Sequence, residues 1–355
     1  MGTHIIYDFR SNPGFVLREI FPEAVVIPAG IKDNPRRLMK SLPADTKFFS
    51  YHLDITDFSS FPNKRIKFNE RLRKKGIVVL NGEVTGISKR NIQALFQSNG
   101  INSTRASREG DLEELLIVKS DYNHGANTER NLSTKEREAL KLPEIRETIP
   151  RPLDYSVLKR RDMAPAAWHL PGIIIERYIS NEMHLFFRVY LLGKALVVSR
   201  VINPALIKKM YEGIERSNLF LEIGPESARV IEAGYDPPPG LISTILAARS
   251  CLKLDFGAMD VVVDNSLTPF VVDVNATPYW GAIGQERIIT FLRSGIPGSG
   301  AGYRAFQPDK TARRESEGSR KHTPPWVPWG IRKVMILIVI IATIYYARRW
   351  LQVAL

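Results

Sequence analysis

Three oxygen-bearing side chains, Asp260, Asp273 and Asn275, stand within LDFGAMDVVVDNSLTPFVVDVNATPYWG at residues 254–281, where an ordinary apolar core holds none. Two apolar runs, 258–263 and 269–274, flank a polar stretch at 264–268, the pattern of a β-hairpin. A carboxylate in such a frame must be paired, metal-bound or protonated, because desolvating a bare charge costs on the order of several kcal/mol. Two carboxylates and an amide brought together across a hairpin make a hard-oxygen site suited to magnesium. That ion takes one or two carboxylates and completes its octahedron with phosphates and water. The alternative is a plain hairpin whose polar residues line a wet face. Asp273 and Asn275 share strand parity, which suits both readings. The closing Ala276-Thr277-Pro278 favours a site.

Upstream segments must position these groups. Residues 76–81 (GIVVLN) read as a short buried strand. Lys89 precedes a helical segment at 91–98, which Gly100 closes. Residues 115–119 (LLIVK) read as a strand ending in Lys119, followed by SDYNHGANTE at 120–129. Further on come GIIIERYISN at 172–181 and LFFRVYLLG at 185–193, with Arg188 among apolar neighbours. That arginine is either a paired core residue or a phosphate clamp, for which its planar fork is suited.

A hairpin ending in acid-x-Asn-x-x-Pro, with an Asp on the partner strand, resembles the metal-binding end of ATP-grasp enzymes. The glutathione-synthetase-like and glutamate-ligase-like carboxylate–amine ligases are nearest in pattern, and the upstream order is similar to theirs. The resemblance implies an α+β fold in which two α+β subdomains over residues 76–294 clasp ATP, with a lid subdomain over about 105–180. A small α/β domain at 1–75 precedes them. It further implies that Lys89, Lys119 and Arg188 bind the phosphates, Lys119 and Arg188 being the catalytic pair. Adenine would be read around Glu176, Tyr178 and Ile179, with Glu176 or a nearby carboxylate taking the ribose hydroxyls. Asp260, Asp273 and Asn275 would hold one or two Mg2+ ions, with Mn2+ as a substitute. The loop at 120–129 would cover the phosphates, although it carries only Gly125 where the family is richer in glycine. Phe186 stands where members often have an Asp two positions before the Arg. Arg200 and Asn203 resemble a later substrate-facing pair. The implied reaction joins a small-molecule or peptide carboxylate to an amine through an acyl phosphate. Phosphorylation of a hydroxyl by an ATP-grasp kinase, and a membrane-tethered nucleotide-binding scaffold without turnover, are the alternatives.

At 355 residues the chain exceeds one typical domain. Cys251, its single cysteine, excludes an intramolecular disulfide and a cysteine-based zinc cluster, and favours a body facing the reducing cytoplasm. The first residues lack the basic and long apolar stretches of a secretory signal, and Ile6 occupies the Ser/Thr position of a myristoylation motif. Of the net charge of +13, +7 falls within residues 304–355. Residues 295–330 read as a basic flexible linker rich in Gly, Ser and Pro. Residues 334–347 carry no charge, are apolar on all faces and are bracketed by Arg332-Lys333 and Arg348-Arg349. With tryptophan and tyrosine near both ends and basic pairs able to snorkel, residues 331–352 are expected to form a C-terminal transmembrane helix. A buried terminal helix is the alternative. No nucleic-acid partner is expected, since no recognition-helix pattern accompanies the charge. Strands at 4–9 and 24–27, a helix at 34–41, a basic helix or loop at 58–75 and a surface excursion at 143–165 complete the expectation.

Overall fold

Apolar runs alternating with helix-forming stretches fold residues 3–80 into a parallel sheet of strand order β2-β1-β3-β4. A computed structural model describes residues 2–296, apart from 11–13, 32, 63, 143–144, 146–148, 209–212, 214 and 280–284. The strands are β1 (Thr3–Phe9), β2 (Val25–Pro28), β3 (Thr46–Leu53) and β4 (Val78–Leu80), joined by α1 (Val16–Ile20), α2 (Pro35–Ser41) and α3 (Arg65–Lys74). The chain reverses across the sheet after β2, so right-handed crossovers put α1 on one face and α2 and α3 on the other. Accordingly Val16, Leu17 and Ile20 pack with Ile6, whereas Leu38, Phe68 and Leu72 pack with Ile5 and Tyr7. Strand β4 pairs with β3, Phe48 opposite Val78, so the first sheet runs on past residue 75.

Helix α4 (Lys89–Ser98) leads into a three-stranded antiparallel sheet of order β6-β5-β7, made of β5 (Leu115–Ser120), β6 (Ser156–Lys159) and β7 (Ile173–Arg177). The short helices α5 (Asn127–Arg130) and α6 (Thr134–Leu140) follow β5. The stretch at 143–165, expected as a surface excursion, contains the edge strand β6.

The third sheet is antiparallel, of order β11-β10-β9-β8-β12-β13. It comprises β8 (Leu185–Leu192), β9 (Ala195–Ile202), β10 (Glu215–Ile223), β11 (Ala228–Glu232), β12 (Phe256–Val263) and β13 (Pro269–Asn275). Helix α7 (Leu241–Leu252) packs against β13, and α8 (Gln285–Ser294) against β8, β9 and α1. One face of this sheet buries Phe187, Val189, Leu196 and Val261 in the main core. The opposite face buries Tyr190, Leu192, Val197 and Phe256 against the first sheet's α1 side.

The expected hairpin is β12–β13. Its turn is held by the Asp264 carboxylate, which accepts the N–H groups of Ser266 at 2.9 Å and Thr268 at 2.8 Å. Asp and Asn do this readily because their short side chains mimic a backbone carbonyl. Ile296 is buried beside α8, so the packed body extends two residues into the stretch expected to be linker. The remainder of that linker and the hydrophobic segment at 331–352 lie outside the described residues. Among the described residues no helix is long and apolar enough to cross a membrane.

Candidate nucleotide and metal site

Five adjacent strands of the large sheet each place one polar residue in a single cross-strand row: Asp273, Asp260, Arg188, Ser199 and Asn218. Directly opposed residues of antiparallel strands share a face, so the row forms a polar belt. Arg188 donates to Asp260 Oδ1 at 2.5 Å, and Ser199 Oγ donates to Asn218 Oδ1 at 2.5 Å. Burial pulls the Arg188 guanidinium down, but the charges of Asp260 and Tyr190 outweigh it and hold its pKa above the ordinary value. On one side of the belt lies an apolar patch of Phe186, Val201, Val262 and Phe270, with Ile179 and Val272 against it. On the other lies the apolar seam to the first sheet.

The hairpin's register explains how Asp273 joins this belt. Asp260 opposes Asp273, but Val261 opposes Val271, so the ladder slips by one residue and Val272 has no direct opposite. Such a bulge breaks the alternation of faces. Val271 enters the main core, while Val272 and Asp273 both face the cleft.

The second wall comes from the small sheet and α4. Lys119 on β5 forms an ion pair with the fully buried Glu176 of β7, and its Nζ also donates to the Val272 carbonyl at 3.1 Å. Lys89 opens α4, where the Ser88 hydroxyl caps the helix by accepting the Asn91 N–H. Asp121, just after β5, accepts from the Arg90 N–H at 2.7 Å and from Ser88 Oγ at 2.9 Å, tying the helix start to the small sheet. The Lys89 ammonium then lies 3.4 Å from Asp273 Oδ1 and donates to the Tyr122 carbonyl at 2.9 Å. Between the walls is an open cleft that brings together Lys119, Glu176, Tyr178, Ile179, Phe186, Val272 and Asp273.

Asn275 sits two residues along the strand from Asp273. Its Oδ1 accepts the Thr277 N–H at 2.8 Å, and its Nδ2 lies 2.9 Å from His124 Nε2, in the loop that follows β5. Among the described residues no three His, Cys, Asp or Glu side chains converge on a metal position. The oxygen donors that Asp260, Asp273 and Asn275 would offer a cation are two carboxylates and an amide, a set that suits magnesium, whose remaining ligands are phosphates and water.

Other expected residues lie elsewhere. Arg200 opposes Phe187, so strand parity turns it to the face away from Arg188. There it pairs with Glu215 at 2.5 Å and lies over the Tyr235 ring, which corrects the expectation that it faces substrate. Asn203 is buried within its own loop, bonded to the Ala205 N–H at 2.9 Å. The Arg177 and Tyr178 N–H groups, expected near an adenine edge, are committed to the Thr104 and Leu115 carbonyls. Asn81, which ends the expected strand, accepts the Asp255 and Phe256 N–H groups at 2.9 and 3.0 Å and thereby joins the first sheet to β12.

Several lining residues escaped the sequence reading. Val262 floors the cleft with Phe186, which the sequence marked only as a departure from the family pattern although its parity with Arg188 signalled a shared face. Lys208 also lines the cleft, with Nζ donating to the Asn203 carbonyl at 3.0 Å and its pKa lowered by burial. No local pattern marked it, nor Ser199 and Asn218.

No family model matches the sequence, and no curated protein matches it. Among solved structures, an L-amino acid ligase from Bacillus licheniformis is 12% identical, over 82% of this chain and 71% of that one, at a TM-score of 0.43. The ATP-grasp ligase PsnB complexed with minimal precursor, Mg and ADP is 12% identical over 82% of this chain and 97% of that one, at 0.42. A RimK domain ATP-grasp protein from Sphaerobacter thermophilus DSM 20745 is 12% identical over 83% and 100%, at 0.44. The second and third of these are named as ATP-grasp proteins, the superfamily that the sequence resembles. At these values the likeness bears no weight for the chemistry, which rests on the site's own residues.

Proposed function

We propose that this chain is an ATP- and magnesium-dependent ligase that joins a carboxylate to an amine through an acyl phosphate. The observation that carries this reading is that Asp273 and the Lys119–Glu176 pair line one cleft with an apolar floor, while Lys89 pairs with Asp273 and the Arg188–Asp260 pair adjoins it in the cross-strand row. Each pair neutralises a buried charge, as the low local dielectric demands. Two of the pairs are exchangeable: a metal cation can take the carboxylates Asp273 and Asp260 while phosphate oxygens take Lys89 and Arg188.

In this reading the nucleobase lies on Phe186, Val262 and Val272 beside Ile179, and the triphosphate runs toward the polar belt. Magnesium held by Asp260, Asp273 and Asn275 would neutralise phosphate charge. Lys119 and Arg188 orient the transferring phosphoryl group and offset its charge. The substrate carboxylate oxygen attacks the γ-phosphorus, and the bond to the β-phosphate oxygen breaks to release ADP. A neutral amine then attacks the acyl carbon, the carbon–oxygen bond to phosphate breaks, and a proton leaves the nitrogen. No nucleophile from the protein is required. The hydrophobic segment at 331–352 is proposed to tether this body to a membrane, with the catalytic part facing the cytoplasm.

Incubation of the full chain with ATP, magnesium, a mixture of amino acids and hydroxylamine tests the reaction. Hydroxylamine-dependent ADP release with hydroxamate formation is expected. A stable phosphorylated product with no hydroxamate would replace the ligase reading with the kinase one.

A further inference from the structure

We infer that the outer face of α2 and α3 docks on an anionic membrane surface, a step that rests on the proposed tethering through residues 331–352. The two helices share one side of the first sheet, and their inward residues Leu38, Phe68 and Leu72 are consumed by the core. Outward they expose Arg36, Arg37 and Lys40 on α2 and Lys67, Arg71 and Lys74 on α3. Glu70 is the one carboxylate within either helix. The opposite side of the sheet carries α1 and the seam to α8, so this basic layer is the surface that the first sheet presents outward.

Two further observations point to lipid. Ile66, in the first turn of α3 at the edge of the basic stripe and one turn before Glu70, is 75% exposed, an apolar group able to enter the headgroup region. An open groove of about 1400 Å³ beside α3 is lined by Lys64 and Lys67 as well as by Arg73 and Lys253, the last two paired with Glu83. A single-stranded nucleic acid would instead call for exposed aromatic rings to stack its bases. The only aromatic residue within α2 and α3 is Phe68, and it is fully buried.

Tethering makes modest attraction sufficient. The composition of 297–330 predicts a linker with a reach of about 30 Å, which holds the body near the surface at high effective concentration. Each basic residue near an anionic leaflet then strengthens docking by about fivefold.

The test uses the full chain with Cys251→Ser and Ile66→Cys, labelled at residue 66 with an environment-sensitive fluorophore and reconstituted into vesicles. In phosphatidylcholine vesicles containing about one-third phosphatidylserine the emission should shift to the blue, and about 0.5 M salt should reverse the shift. Lys67→Glu with Arg71→Glu and Lys74→Glu should abolish it, and so should the separate set Arg36→Glu, Arg37→Glu and Lys40→Glu, which guards against misfolding of either variant. An absent shift, or an equal shift in pure phosphatidylcholine, overturns docking. A shift with polyuridylic acid and none with vesicles overturns the lipid assignment. Flotation with phosphatidylcholine vesicles in high salt reports the anchor separately. A chain that fails to float loses the anchor reading and with it the tethered docking, whereas a chain that floats yet shows no shift on phosphatidylserine loses docking alone.

Discussion

Two arginines, the buried Arg65 in the first sheet's helical layer and the partly buried Arg188 on the large sheet, solve the same desolvation problem in opposite ways. Arg65 is 4% exposed, stacks 3.6 Å over Tyr51, and donates to the carbonyls of Phe61, Asn81 and Gly82 at 3.1, 2.5 and 3.0 Å. Burial pulls its pKa down to about 10, with Tyr51 and Tyr7 opposing the fall. Those acceptors are main-chain atoms that no ligand can displace, and they pin the link from β4 toward Lys89. Arg188 has a carboxylate partner, Asp260, which a metal can claim in its place. Buried charge satisfied by backbone therefore marks architecture here, and buried charge satisfied by an exchangeable side chain marks the site.

The comparison breaks first on Asp273. Asp273→Asn should lower ATP turnover by roughly a thousandfold or more while the thermal midpoint stays near that of the parent, because the side chain is at the cleft and not in the core. Retained turnover would sink the metal assignment. Arg65→Met should do the reverse, costing about 3 to 4 kcal/mol of stability in denaturant unfolding by orphaning its buried carbonyls. The protein that remains folded should turn over ATP at the parental rate.

A pH test sharpens the architectural side. His4, on β1 and bonded to Ser50 Oγ at 2.7 Å, has its pKa lowered from 6.5 to about 4, first by burial and then by Arg293. The unfolded chain thus binds a proton between pH 6.5 and 4 that the folded chain refuses, so stability falls as pH drops through that window. The loss should reach about 3 kcal/mol, and His4→Gln should flatten that part of the unfolding profile. The smallest effect is expected at the cleft floor. Phe186→Ala should weaken ATP binding by about tenfold, measured by nucleotide titration, with little change in the rate at saturation.

Much of this was legible in the chain itself. The hairpin announced its strands by apolar runs and its turn by the polar stretch at 264–268, and the helix expected at 91–98 is α4, which begins two residues earlier at Lys89. Lys89, Lys119, Glu176, Tyr178, Ile179 and Asp273 were named in advance and lie together. Strand β3 escaped because TKFFSYHL is buried on both faces and shows no alternation. Strand β6 escaped because its four residues are too few to show any period.

By itself the sequence determined what periodicity and local backbone chemistry control: which stretches extend, which coil, where they are capped, and which polar residues are out of place among apolar ones. Only the tertiary structure decided which of those residues meet. A one-residue slip between β12 and β13 put Val272 and Asp273 on one face, and strand parity sent Arg200 to the other. The partners of Arg65 and Arg188, which separate a structural charge from a functional one, come from distant parts of the chain. Register and pairing are set by non-local contacts, and those exist only once the sheets have assembled.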